Sequence, residues 1–403
     1  MSIVVQKYGG SSVADPEKLR AVAQRVVATK HLGHSVVVVV SAMGKTTDQL
    51  LALSKQITPQ PDRRELDMLL STGERISMAL LTMAIREEGE EAISFTGSQA
   101  GIITNDRHVD ARIIEVRPIR VQDELSRGRI VIVAGYQGMS YKREITCLGR
   151  GGSDTTAVAL AAALKADWCE ICSDVDGVYT ADPRIVPEAT RIPRLSHEET
   201  QEMAESGAKV LNAQAVEFAK QHDIAIYARA TSGPLPGEDP SSDGTVVQRL
   251  SPDASGLVVA VAGERGLFLL RGELPEAGAL LSALDDVEAS AKQTQIVRTG
   301  GSGWRVSMVF AKENLHQADA VRRILRDQFQ ERASLIEGFG AVSAVGAGIN
   351  QDFRNTHRGQ EALSGLGIEE LFTSSLRSSW ILPDDRVDEA QRALHRVFFG
   401  TGR

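Results

Sequence analysis

Four short stretches gather the residue types that handle anions. In Lys7-Tyr8-Gly9-Gly10-Ser11-Ser12 a lysine precedes two glycines whose amides can come close to a phosphate. A tight turn with a solvated lysine is the plainer reading of the same letters. Ser41-Ala42-Met43-Gly44-Lys45-Thr46-Thr47 contains the Gly-Lys-Thr of a nucleotide P-loop, but the position that must be glycine is Val39, inside a run of valines, so that loop cannot form. Ser41 and Thr47 still offer hydroxyls, and Lys45 reads as solvated. Leu148 to Thr156 places Arg150, Asp154 and the glycines Gly149, Gly151 and Gly152, with Ser153, ahead of an apolar helix over 157–166. Arg150 suits a carboxylate gripped through two parallel hydrogen bonds, while Asp154 can orient a lysine or cap the helix. Ser173 to Arg184 gathers Asp174, Asp176, Tyr179, Asp182 and Arg184 without the closing glutamate of a calcium loop. It suits a nucleotide base and polyphosphate; the plain alternative is an Asp- and Gly-rich surface turn.

The elements that must position these loops follow from periodicity. Ile3–Lys7, Ser35–Ser41, Ala92–Phe95, Ile130–Ala134, Trp168–Ser173 and Ile224–Arg229 read as strands, several Val- and Ile-rich as buried parallel strands are. Amphipathic stretches separate them, which predicts an α/β region with helices on both faces of a mostly parallel sheet. Asp15-Pro16 is a helix start, and a long helix is expected over 63–86, with Gly73 marking a break or a close approach. From Ser232 to Asp253 the composition turns to Ser, Gly, Pro and Asp, the chemistry of a linker. The expected division is therefore a first domain over 1–232, a linker and lead-in strand over 233–265, and two ferredoxin-like units over 266–338 and 339–403. Within those units the helices Asn314–Gln328 and Asp385–Phe398 and the strands Ala341–Gly346 and Ser378–Leu382 are the clearest pieces.

A chain of 403 residues has room for two or three domains, and 42% hydrophobic and 24% charged residues exclude a disordered or fibrous protein. The formal charge of −8 removes any bulk attraction to nucleic acid or anionic lipid, so a phosphate must be met locally. Cys147, Cys169 and Cys172 are odd in number and complete no zinc site; they read as reduced thiols of a cytoplasmic protein. No apolar stretch approaches the ~18 residues of a membrane span.

The four loops resemble the aspartate kinases of the amino-acid kinase family. Lys7–Val13 is similar to the family's nucleotide signature, Thr72-Gly73-Glu74-Arg75 to its substrate signature, and Gly149–Thr156 with Ser173–Pro187 to its central block; the ending Gly400-Thr401-Gly402-Arg403 looks like that of actinobacterial members. The resemblance implies a three-layer sandwich followed by paired ACT domains. It also implies transfer of the γ-phosphoryl group of ATP, with Mg2+, to the side-chain carboxylate of L-aspartate. Lys7, Asp154 and Lys209 would then be catalytic. Lys7, Gly9, Gly10, Ser41, Ser173, Asp174, Tyr179, Asp182, Arg184 and Lys209 would hold the nucleotide. Thr47, Glu74, Arg150, Gly151, Gly152 and Ser153 would hold the amino acid, Glu74 at its ammonium and Arg150 at its α-carboxylate. Metal ligands are unassigned. Lys7 and Lys209 stand in a chain that has only 11 lysines among 45 basic residues.

Nucleic acid and membrane are not expected partners; a homodimer through the ACT units is. A separate small regulatory subunit stays open, although no methionine lies between Met203 and Met308 to start one. A kinase of another small carboxylate and a catalytically silent amino-acid sensor are the competing readings. The sequence departs from the family at its effector turns. Where members carry Asp-x-Pro-Gly this chain has Glu273-Leu274-Pro275-Glu276, the acid of a Ser-Thr-Ser-Glu run is lost at Phe372–Leu376, and Gln295–Gly301 lacks Asn-Val-Ser. Drift with preserved function and weakened lysine and threonine feedback are the two readings of that change.

Overall fold

The computed structural model of the chain describes residues 2–149, 151–208, 211–235, 239–250, 256–301, 303–312, 315, 317–330 and 332–400. They form two compact units, one of Met1–Tyr179, Arg191–Ala204 and Val210–Ser251, the other of Thr180–Thr190, Glu205–Lys209 and Pro252–Arg403.

In the first unit the strands are β1 (Ile3–Tyr8), β2 (Ser35–Val40), β3 (Ala92–Phe95), β4 (Ile102–Thr104), β5 (Ile113–Val116), β6 (Ile130–Ala134), β7 (Gln137–Ser140), β8 (Ile145–Cys147), β9 (Trp168–Ser173), β10 (Arg194–Ser196), β11 (Ile226–Ala230) and β12 (Gly244–Gln248). Eight of them make one sheet in the order β10-β12-β11-β9-β1-β2-β6-β3, parallel throughout except where β12 runs against β11. All six strands expected from the sequence lie in it. Gly244–Gln248 corrects the linker assignment, because this segment is a strand of the sheet. A second sheet, β5-β4-β7-β8, escapes sequence reading because its strands are only three or four residues long, too short for a period to register.

The helices are α1 (Pro16–His31), α2 (Thr46–Ile57), α3 (Arg63–Leu70), α4 (Thr72–Glu87), α5 (Ile119–Ser126), α6 (Gly152–Leu164), α7 (His197–Glu205) and α8 (Ala213–His222). Strand alternation sends Val36, Val38 and Val40 to one face, where they form a core with Leu19, Val22 and Val26 of α1 and Leu81 and Ile85 of α4. The opposite face is covered by α6, buried continuously from Thr155 to Ala161 as an all-round apolar helix must be. The single helix expected over 63–86 is instead two, meeting at Ser71. Contrary to the expectation that no stretch reaches membrane length, Arg63–Glu87 is long and apolar enough. Leu66, Leu70, Leu81 and Ile85 nevertheless sit in the core of the unit.

The second unit holds a six-stranded antiparallel sheet centred on two long strands, Ala260–Leu274 and Ala333–Val345. Helices Ala277–Asp285 and Ala318–Phe329 build one core on it, with Leu270 and Phe310, while Val387–Phe399 builds a second with Val342 and Trp380. Ala260–Val261 pairs with Ala344–Val345, so the second strand-helix repeat takes its last strand from ahead of the first. The repeats thus share strands, where a simple tandem order had been expected. Asn314, the expected start of one helix, lies outside the described residues.

Candidate active site

Alternation along β1 decides which face its last residues serve. Tyr8 enters the core of α1 and α4. Lys7 therefore points toward α6, where its Nζ lies 2.6 Å from Asp154 Oδ1, with the two side chains 12% and 14% exposed. Asp154 is in the first turn of α6 and Gly151 is the N-cap. Of its two readings, orienting the lysine is the one the geometry realises.

The turn after β1 is clasped from both sides. Gly9 donates its N–H to Cys172 O at 3.3 Å, Gly44 donates to Gly10 O at 3.0 Å, and Ser41 donates to Tyr8 O at 3.1 Å. A Cβ on Gly10 would stand 2.8 Å from Ala42 O, so only glycine allows this approach. The chain leaves β1 for β2 on one side while β9 lies on the other. Such a switch point opens a crevice at the carboxyl ends of the strands, where α/β sheets take ligands. Thr47, half-buried, is in the first turn of α2, and Lys45 is exposed ahead of it.

Glu74, in the first turn of α4, is 3% exposed. Its Oε1 accepts the Ala42 N–H at 3.1 Å, and its Oε2 is buried with no partner. Burial pushes its carboxyl up to about 7, against the pull of the backbone donors. Gly73 makes the approach possible, since a Cβ there would stand 2.8 Å from Ala42 Cβ. A buried oxygen without a partner beside the turn after β2 is what an ammonium group would satisfy. At the start of α6 Gly151 adopts φ +73° and Gly152 has Leu148 Cβ 2.5 Å from the place of its missing Cβ, while Ser153 packs against Gly135. Arg150 and Lys209 lie outside the described residues.

The stretch expected from the sequence to line a nucleotide divides between the units. Ser173, Asp174 and Tyr179 belong to the first, whereas Asp182 and Arg184 belong to the second and pair with each other, Nη2 to Oδ2 at 2.6 Å. Asp174 is exposed, and the Tyr179 hydroxyl donates to Asp176 at 2.8 Å. Sequence reasoning included Ser12 in the first stretch but missed Thr231, whose hydroxyl oxygen lies 2.6 Å from that of Ser12; Thr231 also donates its N–H to Ser173 O at 2.8 Å. A Thr directly after a strand end was the available signal. It also missed Tyr136, at φ +67°, and the buried Gln137, whose amide donates to Ser71 O at 2.9 Å just ahead of Glu74.

A mostly parallel sheet with a lysine-glycine turn at its switch point suits a phosphate-bearing ligand, and residues 2–228 match the model of the amino acid kinase family. The chain belongs to that family. It is 44% identical to the aspartokinase of Corynebacterium glutamicum over 100% of both chains, and 43% identical to that of Mycolicibacterium smegmatis over 99% of this chain and 96% of the relative. Its branch of the family is the aspartokinases. Escherichia coli aspartokinase III in complex with aspartate and ADP superposes with a TM-score of 0.84 at 25% identity, covering 98% of this chain and 100% of that one. The same enzyme with lysine and aspartate gives 0.71 at 25% identity, over 98% and 99%.

Proposed function

We propose that the chain transfers the γ-phosphoryl group of ATP to the side-chain carboxylate of L-aspartate, giving 4-phospho-L-aspartate. The observation that carries this reading is the buried, unpartnered Oε2 of Glu74 at the same sheet end as the Lys7–Asp154 pair. One group suits an ammonium and the other a phosphate. The acceptor carboxylate is ionised at neutral pH, with a reference pKa of about 3.9, so no general base is needed. The site must instead bring two anions together and spread the charge on the transferring group.

Lys7 and the Gly9 and Gly10 amides would meet the phosphates, with Ser41 close by, Asp154 holding Lys7, and Lys209 a second phosphate lysine. Ser173, Asp174, Tyr179, Asp182 and Arg184 would line the nucleotide. Arg150 would grip the α-carboxylate and Glu74 the ammonium, with Thr47 and the Gly151–Ser153 turn beside them. Among the described residues no three His, Cys, Asp or Glu side chains gather as a metal cage. Magnesium enters here as part of the nucleotide substrate, carried by its phosphates. Free, buried Cys147, Cys169 and Cys172 fit a reducing compartment. A homodimer through ACT-like repeats of the second unit completes the reading.

A coupled ADP-release assay with hydroxylamine as trap tests it. Hydroxamate is expected with L-aspartate and not with N-acetylglutamate, which lacks the free ammonium; the reverse preference, or no turnover, sinks the proposal.

A further inference from the structure

Asp67, on α3, is fully buried, at 0% exposure, and has no part in the phosphoryl-transfer scheme. Its two carboxylate oxygens accept the Val109 N–H at 3.0 and 3.2 Å, and His108 Nδ1 lies 2.7 Å from Oδ2. Its backbone carbonyl accepts Cys147 Sγ at 3.5 Å, so one residue of α3 touches both the turn after β4 and the end of β8. Val109 adopts φ +71°. A β-branched side chain seldom enters that left-handed region and stays there only when its surroundings impose it.

The strained residue leads directly to Asp110, whose Oδ1 lies 2.7 Å from where a Cβ on Gly149 would stand. Ala111 then donates its N–H to Cys147 O at 3.0 Å. Asn105 closes the turn by accepting the Arg107 and Arg112 N–H groups on its side-chain oxygen, at 3.3 and 3.1 Å. Gly149 O in turn accepts the Gly152 N–H at 2.9 Å, and Gly151, Gly152 and Ser153 are residues that face the amino acid in the proposed function. Burial raises the Asp67 carboxyl above the ordinary carboxylate range although His108, Cys147 and Val109 pull it down, so the buried group is retained at an electrostatic cost.

We propose that Asp67 is a positioning residue: by holding Val109 left-handed it keeps Asp110 and Ala111 against Cys147 and Gly149 and so fixes where Gly151, Gly152 and Ser153 meet the amino-acid substrate. The inference rests on the aspartate reading, and its test separates the two. Full-length Asp67→Ala, Val109→Gly and the double variant are compared by KM for aspartate and for ATP, by Tm, and by hydrogen exchange of the 147–153 amides. Asp67→Ala is expected to raise KM for aspartate about tenfold or more while KM for ATP stays within about twofold, and to speed exchange at 147–153. Glycine takes a positive φ without penalty, so Val109→Gly in the Asp67→Ala background should recover most of the lost aspartate KM.

An unchanged aspartate KM, a parallel rise in both KM values, or no recovery in the double variant overturns the proposal. Should Asp67→Ala not fold, Asp67→Asn, which keeps one acceptor for Val109, should give a smaller rise in the aspartate KM alone; wild-type kinetics in it would overturn the proposal. A wild-type enzyme inert toward aspartate would instead defeat the functional reading, leaving the exchange measurement to judge the Asp67 contact.

Discussion

Lys7 and Asp154 face each other 2.6 Å apart with little water around either, so each charge acts in a medium that screens it weakly. In the proposed roles, Lys7→Ala would remove a cation from the transferring phosphoryl group and Asp154→Ala would leave that cation unoriented. Each is expected to lower kcat by two orders of magnitude or more, about 3 kcal/mol, with a modest change in the aspartate KM. Near-normal turnover in either variant would remove these residues from the chemistry. Glu74 carries a pH prediction. With its carboxyl at about 7, the group is protonated below that pH, and an ammonium bound there would have to expel the proton. The aspartate KM should therefore climb by up to about tenfold per pH unit on the acid side of 7, and Glu74→Gln should flatten the profile while raising KM above pH 7, where the wild-type carboxylate is charged. The same shift sets a stability sign. A carboxyl raised from 4.5 to about 7 favours the fold in its neutral form, an advantage complete below 4.5 and lost as pH rises through 7. Glu74→Gln should then melt higher than wild type at pH 8, by up to about 3 kcal/mol, and alike at pH 4.5.

At the scale of elements, the break between α3 and α4 turns the amino end of α4 toward the loop after β2. Gly73 is inside that helix, where alanine would ordinarily be worth about 1 kcal/mol more. Here the added methyl would stand 2.8 Å from Ala42 Cβ. Gly73→Ala is expected to destabilise the protein and raise the aspartate KM, because α4 and Glu74 must back away from Ala42. Ala42→Gly in the same chain removes the opposing methyl and should restore both; denaturation midpoints and KM values of the pair decide it, and additive losses would contradict the steric account.

For the whole molecule the open question is control. Glu276 stands at the N-cap of helix Ala277–Asp285 without a side-chain capping bond, and Glu273 pairs with Arg305 at 3.1 Å. If an effector amino acid binds at this turn, as the resemblance implies, its carboxylate meets Glu276. Like-charge contacts of that kind cost several kcal/mol, whereas inhibition runs on couplings of about 1 to 3 kcal/mol. L-lysine and L-threonine together are expected to inhibit weakly or not at all at saturating substrates. Half-maximal inhibition below about 1 mM would contradict this.

The glycine turns, the acid and lysine beside them, and the strands that carry them were legible in the letters, because anion handling at a sheet end uses contiguous loop residues and buried parallel strands are contiguous apolar runs. The burial of Glu74 was not, since it depends on Gly73 meeting Ala42 across the fold. Nor was the row of Gln6, Glu170 and Arg229, each on a different neighbouring strand, with Gln6 Nε2 donating to Glu170 Oε2 at 2.9 Å and Arg229 1% exposed. In one dimension those are isolated polar letters in apolar runs. The short strands β4, β5, β7 and β8 exist because neighbours supply their hydrogen bonds, and Ala260–Val261 pairs with Ala344–Val345, some eighty residues later in the chain. Local residue choice determined the chemistry offered at each strand end; pairing between distant segments, which no local period encodes, decided which of those groups meet and which of them lose their water.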